Sequence, residues 1–415
     1  MPTDFALIPR SVRPLIVEGF EDFRIVFVGG ARQVGKTTLV NDIARHEHPM
    51  PSFTLDDQAT REAAMHDPTG FVADLPRPAF IDEVHRVPDL LLALKKAVDE
   101  DTAPGRFVIT GSANVLESKR IQDALPGRID RIDMWPLAQS EIHGGHVNVV
   151  DELFAGRAPR VTGAPVGRAA FAEVVSEGGY PQARARPPGR RRERWFANYV
   201  SATFARDLLE LADVRRLDDV ERLLRLLATQ SANLLSYRKI GTRLDMHHGT
   251  VQAYVALLEQ MFLVKRLPAW RPGLGAREAT TPKLYVCDSG LLAHLLGAGI
   301  ERIEVDDQVT GKLCETFVAG ELLRHASWSE QQPRLYHYQR DREDVDLVLE
   351  NNRGQIVGVE VKAAATLRAR DWKWLAKLQE ARGDMFRAGI VVYAGEQTIP
   401  LGRKLWAVPY SGLWV

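Results

Sequence analysis

The chain has 415 residues, enough for two or three domains that each bury an apolar core. Its 54 basic and 54 acidic side chains cancel, so overall charge neither draws it to nucleic acid nor keeps it away, and any such contact must be a local patch. Two distant cysteines, Cys287 and Cys314, exclude a disulfide framework and a structural zinc site. No run of about 18 apolar residues is present to span a membrane. The N-terminal stretch carries Asp4 and Arg10 without a long apolar core, unlike a signal peptide. The expected location is the cytoplasm, with both cysteines as reduced thiols.

In chain order, residues 20–142 alternate short apolar segments with helical spacing, the pattern of a parallel α/β sheet. Strands are expected at 25–28, 52–55, 79–82, 107–110 and 129–134. Residues 144–170, rich in Ala, Gly and Pro, read as a connection. Helices are expected from about 171 to 230, interrupted by the basic run from Arg184 to Arg194, which is most simply a solvated loop entering a helix. A helix-turn-helix pattern occupies 228–296. A block of helix, strands, helix and strand fills 309–415. The expected division is 1–143, 144–227, 228–300 and 301–415.

The segment Ile25-Val26-Phe27-Val28 reads as a buried strand, and Gly30-Ala31-Arg32-Gln33-Val34-Gly35-Lys36-Thr37 follows it with the spacing G-x-x-x-x-G-K-[ST]. Thr38 opens a segment of helical spacing. A strand, a glycine loop and a helix N-terminus together aim backbone N–H groups and a positive dipole end at an anion. Lys36 is expected to reach the β- and γ-phosphates of a nucleoside triphosphate, and the Thr37 hydroxyl to hold Mg²⁺. A second apolar strand ends in Asp82 and Glu83. Asp82 suits contact with that Mg²⁺, and Glu83 can polarise a water for attack on the γ-phosphate. A third strand ends in Thr110-Gly111-Ser112-Ala113-Asn114. If it lies between the other two, Ser112 or Asn114 could orient the attacking water; the alternative is a turn of small polar residues. Arg128 and Arg131 could stabilise the transferring phosphoryl group, in cis or from a neighbouring subunit.

These residues carry a resemblance. GARQVGKTT at 30–38, FIDEVHRVP at 80–88, TGSAN at 110–114 and LPGR at 125–128 resemble the prokaryotic AAA-type ATPases that carry a C-terminal domain of uncharacterised function. The likeness extends through Gly178-Gly179-Tyr180-Pro181 and Tyr285-Val286-Cys287-Asp288-Ser289-Gly290-Leu291. It implies an α/β fold: a parallel P-loop ATPase sheet, then a helical and winged-helix region, then a C-terminal α/β part similar to restriction-endonuclease-like folds. It implies no cellular role.

In the helix-turn-helix segment, residues 236–244 read as a first helix, 245–249 as a turn and 250–263 as a second helix. Val251, Tyr254, Val255, Leu258 and Phe262 give the second helix a core face. Residues 265–277 and strand 283–287 could form a wing. Arg238, Lys239, Arg243, Lys265, Arg266 and Arg271 outnumber Asp245 and Glu259, which suits phosphate contacts. Gln252 and Glu259 are a sparse set for reading bases, so DNA binding without sequence specificity is expected. The alternative is a protein-docking module.

Toward the C-terminus, 344–350 and 355–362 alternate with period two around a tight loop in which Gly354 takes the left-handed position. That register sets Asp346 opposite Glu360, with Cβ atoms about 5 Å apart, and Lys362 on the same face. Val345, Leu347, Val357, Val359 and Val361 are expected to bury the other. Facing carboxylates with a nearby lysine can hold a second divalent metal and activate water against a phosphodiester. The arrangement resembles the restriction-endonuclease-like D…E-x-K motif at Asp346, Glu360 and Lys362, with Glu315 matching its helical acidic residue. A merely charged hairpin face is the competing reading. The function expected is that of an ATP- and Mg²⁺-dependent ATPase coupling turnover to DNA binding or processing. The alternative is a nucleotide-dependent switch acting on a protein partner, with the nuclease-like part as a binding platform.

Overall fold

The computed structural model describes residues 7–111, 126–159, 161, 166–204, 217–272, 281–340 and 342–414. Ser112 and Asn114 lie outside them. The N-terminal part is a five-stranded sheet of β1 (Ile25–Gly29), β2 (Ser52–Thr54), β3 (Ala79–Asp82), β4 (Phe107–Gly111) and β5 (Ile129–Asp133). Every pairing is parallel and the order is β2-β3-β4-β1-β5. The strands β1, β3 and β4 are buried at every residue, as their unbroken apolar runs require in a sheet covered on both faces. Alternate side chains feed separate cores. Ile25, Phe27, Ile81 and Ile109 pack with Leu90 and Leu94, while Val26, Val28, Phe80 and Val108 join the apolar mass that runs on through the middle of the chain.

The middle is helical: Val149–Phe154, Arg168–Glu177, Arg190–Thr203 and Leu217–Thr229, followed by Tyr237–Leu244 and His248–Gln260. Ser236 caps the first helix of the turn motif by accepting from Lys239 N–H, and Asp245 ends it in the left-handed region at φ 55°. Three short strands flank that motif: β6 (Asn233–Leu234), β7 (Val264–Leu267) and β8 (Lys283–Val286), antiparallel in the order β6-β8-β7. The C-terminal sheet is mixed: β9 (Arg334–Arg340), β10 (Glu343–Glu350), β11 (Ile356–Lys362), β12 (Phe386–Tyr393), β13 (Ile399–Gly402) and β14 (Leu405–Pro409), in the order β13-β14-β12-β11-β10-β9.

Helices Asp307–Ser327 and Lys373–Arg382 pack on this C-terminal sheet. Val359 and Ile390 face the large core, whereas Val348, Ile356 and Val391 pack with Leu375 and Leu378 of the second helix. The expected hairpin with one solvated face is therefore corrected: both faces are covered. Val345 also departs from the expected face and packs with Trp270 and Tyr336, because the pairing of β10 with β9 shifts register between Val345 and Val348.

A buried ionic cluster joins the three parts. Arg324 donates to the carbonyl of Pro136 at 3.0 Å, to Glu321 at 2.9 Å and to Asp288 at 3.4 Å. Glu321 accepts from Gln139 N–H, and Asp288 from Gly179 N–H. Removing the cation would strand two buried carboxylates. Arg324→Met should therefore lower the unfolding free energy by about 3–5 kcal/mol, read as an earlier midpoint in urea denaturation; an unchanged midpoint would show that the cluster contributes no net stability. Among the described residues no helix is long and apolar enough to cross a membrane.

Candidate functional site

The glycine loop leaves the C-terminal end of β1. A Cβ at Gly30 would meet the Met134 carbonyl oxygen at 2.1 Å, and Gly35 sits at φ 98° directly before the helix Lys36–His46. Both positions need glycine, one for space and one for its backbone angle. Gln33 also holds a positive φ of 61°, so the loop turns twice before the helix. Lys36 is buried, and its Nζ donates to the carbonyls of Gly30 and Ala31 at 2.9 and 3.0 Å. Thr38 and Gln33 are exposed, and Arg32 is half-buried.

Beside the loop, Thr37 Oγ1 donates to Asp82 Oδ1 at 2.8 Å. These two oxygens, at the helix start and the end of β3, are the ones Mg²⁺ would need, and their adjacency fits it. Burial pushes the Asp82 carboxyl above its usual range, against hydrogen bonds from Thr110 and Thr37. Glu83 follows in the left-handed region at φ 59°, which is rare for a side-chain-bearing residue. Its N–H donates to Thr110 Oγ1 at 3.2 Å, and its carboxylate lies 3.1 Å from Nδ1 of the buried His85. Burial alone would raise Glu83, but His85, Lys36 and Arg32 outweigh it and hold the carboxyl at about 2.

The strand order puts β4 between β1 and β3, which was the condition for a polar residue at its end to face the phosphates. Within the described residues that group is Thr110, which sequence reading passed over. Its Oγ1 donates to Asp82 and accepts from Glu83 N–H, so it ties both carboxylate residues to the sheet. Arg10 was missed as well. Its guanidinium donates to the carbonyls of Val34 in the loop and Trp135 after β5, and to Glu141. No spacing rule links residue 10 to residue 34, so its sequence carries no signal.

The two candidate arginines are not gathered at this loop. Pairing sets Ile129 level with Ile25, so Arg128 stands at the sheet edge opposite to the one the loop leaves, where it pairs with Asp99 at 2.5 Å. Arg131, level with Phe27 on edge strand β5, pairs with Asp133 at 3.0 Å.

On the helix-turn-helix, Val251, Val255, Leu258 and Phe262 are buried and Tyr254 is half-buried. Arg266 turns inward to Glu259 and the Tyr237 hydroxyl, and Lys265 lies near the same carboxylate. Arg238, Lys239 and Arg243 are exposed and have no ion-pair partner among the described residues. In the basic run further back, Arg184 and Arg192 pair with Glu177, which leaves the exposed Arg190, Arg191 and Arg194 on its surface.

In the C-terminal sheet Leu347 pairs with Val359 and Leu349 with Val357, the register that brings Asp346 level with Glu360, and Gly354 takes φ 72°. Asp346 Oδ2 accepts from Val361 N–H at 2.9 Å, and Lys362 Nζ lies 2.9 Å from Glu360. Burial and the Asp346 carboxylate push Glu360 well above the usual range, against Lys362. Glu315, on the helix Asp307–Ser327, accepts from the Tyr285 hydroxyl at 2.7 Å and from Lys283 Nζ at 3.1 Å. Burial and Asp346 push Glu315 up to about 7. Burial opposes the charge on Lys283, yet Glu315, Asp346 and Asp344 hold its ammonium above its ordinary value. The expected second metal does not fit. Two ammonium groups already sit on these carboxylates, and among the described residues no group of three His, Cys, Asp or Glu is placed to hold a metal ion.

Three family models match parts of the chain: an AAA domain over residues 22–143, a domain of unknown function (DUF8612) over 168–302, and a domain of unknown function (DUF4143) over 310–413. Uncharacterized proteins of Mycobacterium bovis and Mycobacterium tuberculosis are each 27% identical over 388 residues, which cover 93% of this chain and 80% of theirs. Among solved structures, a Walker-type ATPase of Pyrococcus abyssi is 12% identical, covers 70% of this chain and 96% of its own, and superposes with a TM-score of 0.40. The chain therefore carries an AAA domain over residues 22–143, which includes the phosphate loop, and a domain of unknown function over its C-terminal part.

Proposed function

We propose that the chain binds and hydrolyses ATP and couples that turnover to contact with a DNA backbone through the helix-turn-helix segment. The observation that carries the first half is the Thr37–Asp82 contact at 2.8 Å with Glu83 beside it in a strained backbone. Lys36 and the loop N–H groups hold the phosphates, and Thr37 with Asp82 would hold Mg²⁺, which neutralises phosphate charge. Glu83, ionised and braced by His85, orients the attacking water and accepts its proton. Thr110 keeps Asp82 and Glu83 in register with the loop.

The second half rests on Arg238, Lys239 and Arg243, three exposed cations with no acidic partner among the described residues. Three phosphate contacts give a slope of log affinity against log salt of roughly −3. Duplex DNA binding should weaken with salt along that slope, and the Arg238→Gln, Lys239→Gln, Arg243→Gln triple variant should flatten it toward zero. DNA should also raise the ATPase rate of the wild type. Fluorescence anisotropy across a salt series and a coupled ATPase assay read both. Binding that is absent at low salt, or a triple variant with an unchanged slope, would overturn the DNA half and leave the ATPase half standing.

A second reading, a nucleotide-dependent switch whose C-terminal part is a binding platform for a protein partner, is favoured by the lysines that neutralise Glu315, Asp346 and Glu360.

A further inference from the structure

Lys283 does not belong to the sheet whose carboxylates it meets. It stands at the start of β8, in the small sheet beside the helix-turn-helix, while Glu315, Asp346 and Glu360 belong to the C-terminal helix, β10 and β11. The strand's pleat sends Lys283 and Tyr285 to one side and Leu284 and Val286 to the other. Leu284 and Val286 enter the large apolar core. Lys283 and Tyr285 both reach Glu315, and Lys283 Nζ also lies 3.5 Å from Asp346 Oδ1. The lysine side chain is only 8% exposed there, against 17% for Glu315 and 13% for Asp346. A lysine this buried persists only where its charge is matched.

The occupancy of the carboxylate oxygens is specific. Glu315 Oε1 takes both β8 side chains, Asp346 Oδ1 takes Lys283 and Asp346 Oδ2 takes the Val361 N–H. Lys362 takes Glu360 Oε2. The ammonium lies between an acidic residue on a helix and one on a strand, and so fills the gap that a divalent cation held by both carboxylates would need. Only one of the two cations can hold those oxygens at a time.

We propose that Lys283 is a tethered counter-ion that closes the C-terminal carboxylate centre to metal for as long as β8 stays docked. The inference stands whether or not the helix-turn-helix contacts DNA.

The test uses the full chain without nucleotide, titrated with Mn²⁺ by calorimetry and followed by thermal melting. Mn²⁺ taken up at the phosphate loop is separated by requiring that a binding event vanish on Asp346→Asn. Wild type should show no Asp346-dependent event. Lys283→Met should melt below wild type, gain one Asp346-dependent Mn²⁺ per chain, and recover melting temperature as Mn²⁺ is added. The Lys283→Met, Glu315→Gln double variant removes one charge of each sign and should recover melting temperature without Mn²⁺. If Lys283→Met does not fold, Lys283→Gln, which keeps a donor for Glu315, is read by the same criterion. Asp346-dependent Mn²⁺ binding in wild type would overturn the proposal, as would a folded Lys283 variant that gains none.

Discussion

Glu83→Gln should leave ATP binding intact while hydrolysis falls about 10²–10⁴-fold. The substitution keeps the side chain's size and its place in the left-handed backbone after β3, and removes only the ability to take a proton. Loss of its charge should not weaken the loop's grip on phosphate, since Lys36 and the loop N–H groups hold the nucleotide and a nearby carboxylate only repels it. Calorimetry with ATP and a phosphate-release assay on the same preparation separate the two effects. Hydrolysis at the wild-type rate would move the role to Asp82 or another group; lost binding would show that Glu83 shapes the loop.

The depressed Glu83 carboxyl sharpens this expectation. A group held at about 2 is ionised throughout the neutral range, but it is a weak base. Two of the cations that hold it there, Lys36 and Arg32, belong to the phosphate loop. Triphosphate at the loop would bring negative charge close to Glu83 and engage Lys36, which should raise the carboxyl, while Mg²⁺ at Thr37 and Asp82 would act in the opposite direction. The buried His85 is different: it stays beside Glu83 and fixes its direction.

What the sequence makes legible here follows from regular spacing. Fixed offsets locate Gly30, Gly35, Lys36 and Thr37, and unbroken apolar runs locate β1, β3 and β4 because each is buried on both faces. Period-two alternation and the turn at Gly354 place Asp346 level with Glu360. The unread parts depend on the meeting of distant segments. Arg10 reaches the loop across 24 residues, Lys283 reaches Asp346 across 63, and neither partner is marked by local pattern. Arg128 is a different case: it precedes β5, and in a parallel sheet the start of a strand lies at the end opposite to the one the phosphate loop leaves, which argues against a role in cis and does not bear on one from a neighbouring subunit. Charged residues in a hairpin also read as a wet face until the covering helices are known, and that decides whether Asp346 and Glu360 are solvated or must be neutralised.

Lys36→Ala should reduce ATP affinity by about 10²–10⁴-fold, the equivalent of two charge-assisted hydrogen bonds at roughly 1.5–3 kcal/mol each. The side chain is 4% exposed, and its ammonium already lies against the Gly30 and Ala31 carbonyls at the mouth of the loop. A triphosphate arriving there meets a buried cation already within the loop, which needs only to exchange these carbonyls for phosphate oxygens. Alanine removes that charge and leaves the loop's turns at Gly30, Gln33 and Gly35 in place. Melting temperature without nucleotide should therefore change far less than affinity. Thr37→Ala supplies the contrast: it removes a hydroxyl that serves Mg²⁺, so its penalty should be large with Mg²⁺ and small in EDTA, while the Lys36→Ala penalty persists in both. Calorimetric titration of both variants under both conditions reads this directly. Unchanged affinity in a folded Lys36→Ala variant would remove the phosphate loop as the nucleotide site, and a penalty that disappears in EDTA would show that Lys36 acts only through the metal.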